Sequence, residues 1–132
     1  MCFKILELYP PTNRSPRVLE IGCGEGASAI FLARNGYSVK AFDLSDVGVK
    51  KTLERADQAQ VQIEAFRADI NEFTPEENFD IVFSSGTLQY LLPEKRSEFI
   101  ESCKEKTTDQ GLHVLHTKVK ERSRHLQLKS FS

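Results

Sequence analysis

"VLEIGCGEGAS", residues 18–28, sets a carboxylate, Glu20, inside an apolar run and follows it with Gly22, Gly24 and Gly26. The apolar run "RVLEIG" has the look of a strand buried on both faces. Glycines at every second position let the backbone turn tightly and let a ligand approach it closely. "ASAIFLARNG", directly after, has helical spacing that turns Ala29, Ile30 and Ala33 inward, and Gly36 stands where a helix stops. Tight turns also use glycine for steric reasons alone, but a glycine turn that ends a first strand and opens a first helix points to a ligand site, because the helix N-terminus offers free N–H groups. A buried Glu must be paired, hydrogen-bonded or protonated. It is held either by neighbouring backbone N–H groups or by a ligand that brings a cation.

Outward from this stretch the same alternation repeats. "ILEL" closes a short helix that "YPPTNRSP" ends. "YSVKAFDLS" is a second strand, and "DVGVKKTLERADQAQ" a helix with Ser45 or Asp46 as its cap. "VQIEAFRADI" supplies strand positions at Val61, Ile63, Ala65 and Phe66, whereas "NEFTPEEN" is too short and polar for a full crossover helix. "FDIVFSS" is a fourth strand, "PEKRSEFIESCKEKT" a helix with Pro93 in its first turn, and "QGLHVLHTKV" a fifth strand. Strand and helix thus alternate from residue 17 to about 119. That order predicts an α/β, doubly wound, mostly parallel sheet with helices on both faces. A lead-in at 1–16 precedes this domain, 17–119, and a basic stretch at 120–132 follows, expected as a solvated tail.

With 132 residues the chain suits one domain, and 39% hydrophobic with 28% charged residues describes a globular protein. A net charge of −1 gives no reason to expect nucleic acid. No run reaches the roughly 20 apolar residues of a membrane span, and no signal-peptide pattern opens the chain, so the expected location is cytoplasmic. Cys2, Cys23 and Cys103 form no CxxC pair and read as reduced structural thiols. His113 and His116, three apart on a strand, point to opposite faces, so no metal is assigned.

Two ligand classes fit the glycine loop. Residues 22–27 match G-x-G-x-x-G/A, and Asp43 follows at about the distance of 20 residues that a nicotinamide dinucleotide site uses. A pyrophosphate there would be repelled by Glu20 and further by Glu25. Asp43 and Asp69 both stand where a strand gives way to a loop, at the sheet edge where ligands bind. Asp43 can accept from two ribose hydroxyls, and Asp69 from an adenine amino group while Ile70 packs on the ring. Singly, each Asp also suits a turn or cap. With Glu20 and the glycines they outline a nucleoside carrying an amino acid and no phosphate.

"VLEIGCGEG", "AFDLS", "RADINEF" and "FDIVFSSGTLQYL", in this order and spacing, resemble class I S-adenosylmethionine-dependent methyltransferases, and more narrowly the small tellurite-resistance-type branch. The resemblance covers about residues 17–117 and implies strand order 3-2-1-4-5. It implies S-adenosyl-L-methionine as cofactor, with Gly22, Gly24 and Gly26 along its methionine part and Glu20 near the loop. Asp43 would hold the ribose with Leu44 against the adenine, Asp69 and Ile70 would meet the adenine edge and face, and Ser84 and Ser85 would lie under the methionine chain. The segment from Gly86 to Leu91, with Gln89 and Tyr90 as its polar members, would face the acceptor. Tyr90 packing with Leu88 and Leu91 under the next helix is the alternative.

Members of that family usually continue into two further strands, where this chain has "KVKERSRHLQLKSFS", so the sheet is expected to stop before them. Methyl transfer needs the acceptor positioned and water excluded, and a general base is optional, so no catalytic residue is assigned. "SSGTLQYL" lacks the Asn/Asp-Pro-Pro-aromatic motif of amino-methylating nucleic-acid enzymes, which favours a small-molecule acceptor. A non-catalytic or truncated cofactor-binding module and a nicotinamide-dependent oxidoreductase remain as alternatives.

Overall fold

A computed structural model describes residues 2–85, 87–119 and 123–131, the side chains of 85, 115–119 and 123–131 excepted. The elements run α1 (Cys2–Leu8), β1 (Arg17–Ile21), α2 (Ala27–Arg34), β2 (Ser38–Asp43), α3 (Asp46–Gln58), β3 (Ile63–Arg67), β4 (Phe79–Ser85), α4 (Arg96–Glu105), β5 (Thr107–Val119) and β6 (Ser123–Phe131). The sheet order is β3-β2-β1-β4-β5-β6, parallel from β3 through β5. The expected order 3-2-1-4-5 is therefore present, with the order reversing between β1 and β4 beside the glycine loop.

Apolar residues on both faces of β1 explain its central place. Val18 faces a cluster with Ile5 of α1 and Ala29 and Leu32 of α2. Leu19 and Ile21 face the opposite cluster with Phe99 and Cys103 of α4. Leu32 rather than Ile30 carries the inward face of α2, because the helix starts only at Ala27 and Gly26 stays outside it. Ser45 caps α3, its Oγ accepting from the Gly48 N–H at 3.1 Å. The β3–β4 connection holds no helix. Phe73 covers the sheet there instead, stacked on Phe42 with ring centroids 4.3 Å apart.

Residues 123–131, expected as a solvated tail, pair antiparallel along β5, with Gly111 opposite Phe131 and Val119 opposite Ser123. The alternation "HLQLKSF" is the strand signal that the basic charges mask. β5 also begins earlier than expected, at Thr107. Gly86, residues 120–122 and Ser132 lie outside the described residues, as do the side chains of Ser85, His116 and His125.

Asp80, buried on β4, ties the lead-in to the sheet. It accepts from the Arg17 N–H at 2.8 Å, from Thr108 Oγ1 at 2.9 Å and from the Tyr9 hydroxyl at 3.4 Å. Asp80→Asn keeps the shape but loses the charge and one acceptor oxygen. The variant should be less stable by about 1–2 kcal/mol, read as a lower urea midpoint. An unchanged midpoint would show that the three donors find other partners.

Candidate functional site

The glycine loop is fastened to the end of β2. The N–H groups of Gly22 and Cys23 both donate to Phe42 O, at 2.8 and 3.0 Å. The Gly24 N–H donates to Asp43 Oδ2 at 2.8 Å, and the Ser45 N–H to Asp43 Oδ1 at 3.0 Å. Asp43 thus shapes the loop as well as standing at the sheet edge. Gly22 has φ +80° and Gly26 φ +94°, values that favour glycine. The start of α3 lies close against the loop, since a Cβ at Gly48 would come within 2.7 Å of Gly24 O.

Glu20 is 2% exposed, and its Oε1 has no hydrogen-bond partner among the described residues. Burial, and then the neighbouring Asp43 charge, push its carboxyl up to about 8. A Glu satisfied by backbone N–H groups would not leave this oxygen bare. The bare oxygen tells against a Glu held wholly by backbone N–H groups, and burial keeps the carboxyl protonated near neutrality. Ser84 Oγ is the other buried side-chain polar atom without a partner among the described residues. Ser84 pairs with Ile21 in register and Glu20 with Phe83, so strand alternation sets Ser84 and Glu20 on opposite faces at one sheet edge.

Glu25 is a correction. It was expected to repel a pyrophosphate, yet it pairs with Lys51 at 3.3 Å and Arg55 at 3.0 Å on α3. A paired, half-exposed carboxylate exerts little repulsion across water.

The remaining residues divide between solvent and core. Leu44 is 55% exposed, free to cover a flat ligand. Asp69 Oδ1 accepts from the Asn71 N–H at 2.9 Å in a tight turn. Ile70 is buried in the cluster with Leu19, Ile21 and Leu91. Tyr90 is 68% exposed, so the alternative of packing under α4 fails, while Leu91 is buried and Leu88 packs against the same cluster. Gln89 is exposed as well. Thr87 escaped sequence reading: a Cβ on Gly22 would collide with its hydroxyl, so Thr87 lies directly on the loop. Nothing in the local pattern signals that contact.

The thiols are quiet. Burial pushes Cys23 up to about 11 and Cys103 up to about 12, which leaves both protonated and unreactive near neutrality. Among the described residues no group of three His, Cys, Asp or Glu could hold a metal ion, and no helix is long and apolar enough to cross a membrane.

The family model for a methyltransferase domain matches residues 18–111. The chain belongs to this family. Proteins of the TehB branch are among those it resembles, and it covers part of their fold. The methyltransferase domain is 30% identical over 99 residues to Hemagglutinin 1 of Eikenella corrodens, covering 75% of this chain and 33% of that protein. It is 27% identical over 99 residues to the probable S-adenosyl-L-methionine-dependent methyltransferase TehB of Haemophilus influenzae, covering 75% and 35%. The crystal structure of TehB from Haemophilus influenzae superposes with a TM-score of 0.80 at 24% identity, covering 87% of this chain and 39% of that one. Haemonchus contortus phosphoethanolamine N-methyltransferase 1, in complex with phosphoethanolamine and S-adenosylhomocysteine, superposes with a TM-score of 0.77 at 23% identity, covering 91% and 26%. The chain thus spans about a third of the length of the curated relatives it matches.

Proposed function

We propose that the chain is the cofactor-binding core of a cytoplasmic methyltransferase that moves a methyl group from S-adenosylmethionine to a small-molecule acceptor. The observation that carries this reading is the orphaned Oε1 of Glu20 beside the glycine loop. Ionised without a partner, a buried carboxylate is costly, and an amino-acid ammonium would stabilise that charged form. Bound there, the cofactor supplies an activated methyl group on a sulfonium that is its own leaving group.

The chain's own residues bind, orient and exclude water. Gly22, Gly24 and Gly26 let the methionine part reach the backbone, with Ser84 and Ser85 beneath it. Asp43 offers its carboxylate to the ribose hydroxyls, Leu44 and Ile70 bracket the adenine, and Asp69 takes its amino edge. Gln89 and Tyr90, both exposed, face the acceptor. The net charge of −1 supports a small acceptor over a polyanion.

The pairing of Glu25 with Lys51 and Arg55 removes one argument against a nicotinamide dinucleotide, the ligand that the family match does not favour. Calorimetry of the chain with S-adenosylhomocysteine and with NAD separates the two. Binding of the first and not the second is expected, and the reverse result would overturn the proposal. Silence toward both would leave a module that has lost the cofactor.

A further inference from the structure

Two segments meet beside the site. One is the turn at 69–73, which carries Asp69. The other is the acceptor-facing turn at 88–92. Ile70 and Leu91 are buried in one cluster. Beside that anchor lies a cavity of about 310 Å³, lined by Ile70 and Leu91 together with Asn71, Thr74, Lys95 and Ser102. Apolar packing thus holds the turn at Leu88 and Leu91, while Gln89, Tyr90 and Leu92 are exposed.

Asn71 holds the turn as well. Its Nδ2 donates to Tyr90 O at 3.1 Å and to Asp69 Oδ1 at 3.3 Å, and its Oδ1 accepts from the Leu92 N–H at 2.7 Å. Its backbone N–H also donates to Asp69 Oδ1, at 2.9 Å, and Lys95 Nζ donates to its carbonyl at 2.9 Å. One side chain thus grips the backbone on either side of Leu91, at Tyr90 O and the Leu92 N–H, and grips the Asp69 carboxylate with the same amide.

We propose that Asn71 is a positioning residue that transmits occupancy at Asp69 to the acceptor-facing turn. This rests on the reading of Asp69 as the residue that meets the adenine. A ligand donor arriving at Asp69 competes with or reinforces the Asn71 amide, and either change alters the grip on Tyr90 O and the Leu92 N–H. The acceptor side of the site is then sensitive to whether the cofactor side is filled. These bonds lie at the surface, so in a variant that lacks them water takes their place and stability depends little on them.

The test is amide hydrogen exchange followed by NMR on the full chain, with and without S-adenosylhomocysteine, for the parent, Asn71→Ala and Asn71→Asp. Core amides of β4 report that each protein is folded. In the parent the Leu92 amide should be protected, and ligand should change that protection severalfold. In Asn71→Ala, Leu92 should exchange roughly tenfold faster. Ligand should bind within a fewfold of the parent affinity yet no longer affect Leu92. Asn71→Asp sets an oxygen against Asp69 Oδ1 and Tyr90 O, and should likewise uncouple the turn by repulsion.

Equal Leu92 protection in parent and Asn71→Ala overturns the clamp, whatever the ligand does. Ligand that binds the parent without changing Leu92 overturns the coupling and leaves the methyltransferase reading intact. No binding to the parent overturns that reading and the coupling with it, while the clamp is still judged from the unliganded proteins. A merely structural Asn71 would slow exchange in the free chain but show no ligand response at Leu92.

Discussion

Glu20→Gln should weaken S-adenosylhomocysteine binding by roughly 1–3 kcal/mol at pH 8 while leaving the free protein as stable or more stable. Glu20 is raised from an ordinary 4.5 to about 8 in the fold. Between those values the folded chain holds a proton that the unfolded chain has released. Stability conferred by this group is therefore greatest below pH 4.5 and declines as pH rises toward 8, by up to roughly 1.4 kcal/mol per unit. Gln carries no charge, so the variant's stability should be flat across that window and overtake the parent at its alkaline end. Near neutrality the free site holds a protonated Glu20. A ligand ammonium favours the ionised form, so binding should release up to one proton and tighten as pH rises from about 6 to 8. Calorimetry in buffers of different ionisation heat reads the proton, and melts across pH read the stability. A variant that melts lower, binds equally well and releases the same proton would make Glu20 a structural residue.

Asp43→Ala should cost roughly 2–3 kcal/mol of S-adenosylhomocysteine affinity, the range for hydrogen bonds to a charged group. Asp43 already holds the Gly24 and Ser45 N–H groups through one oxygen each, so its loss frees the glycine loop as well as removing a ribose acceptor. It also removes the charge that helps raise Glu20, whose titration should fall back toward the ordinary carboxylate range. Titrations on the variant and on Asp43→Asn, which keeps one acceptor oxygen, divide these effects. Unchanged affinity in a folded Asp43→Ala would reduce Asp43 to a turn residue.

Much of the architecture was legible along the chain. Runs such as "RVLEIG" and "FDIVFSS" are apolar on both faces, and the alternation with helices requires a parallel sheet. The glycine turn and the carboxylates at the ends of β1, β2 and β3 were legible for the same local reason, that each is set by residues within a turn of one another. The sixth strand was not, because the charges in "KVKERSRHLQLKSFS" outweigh a short alternation until β5 offers it an edge.

The sequence by itself determined the order of elements, the glycine loop and the identity of the acids around it. Only the tertiary structure decided what state those acids are in. Glu25 meets Lys51 across 26 positions and loses its repulsive role, and Asn71 meets the Leu92 N–H across 21. Glu20 is left with a bare oxygen because the strands on both sides and the helices above exclude water from it. Local pattern depends on neighbours within a few residues, whereas the charge state of a buried acid depends on every group the fold brings beside it.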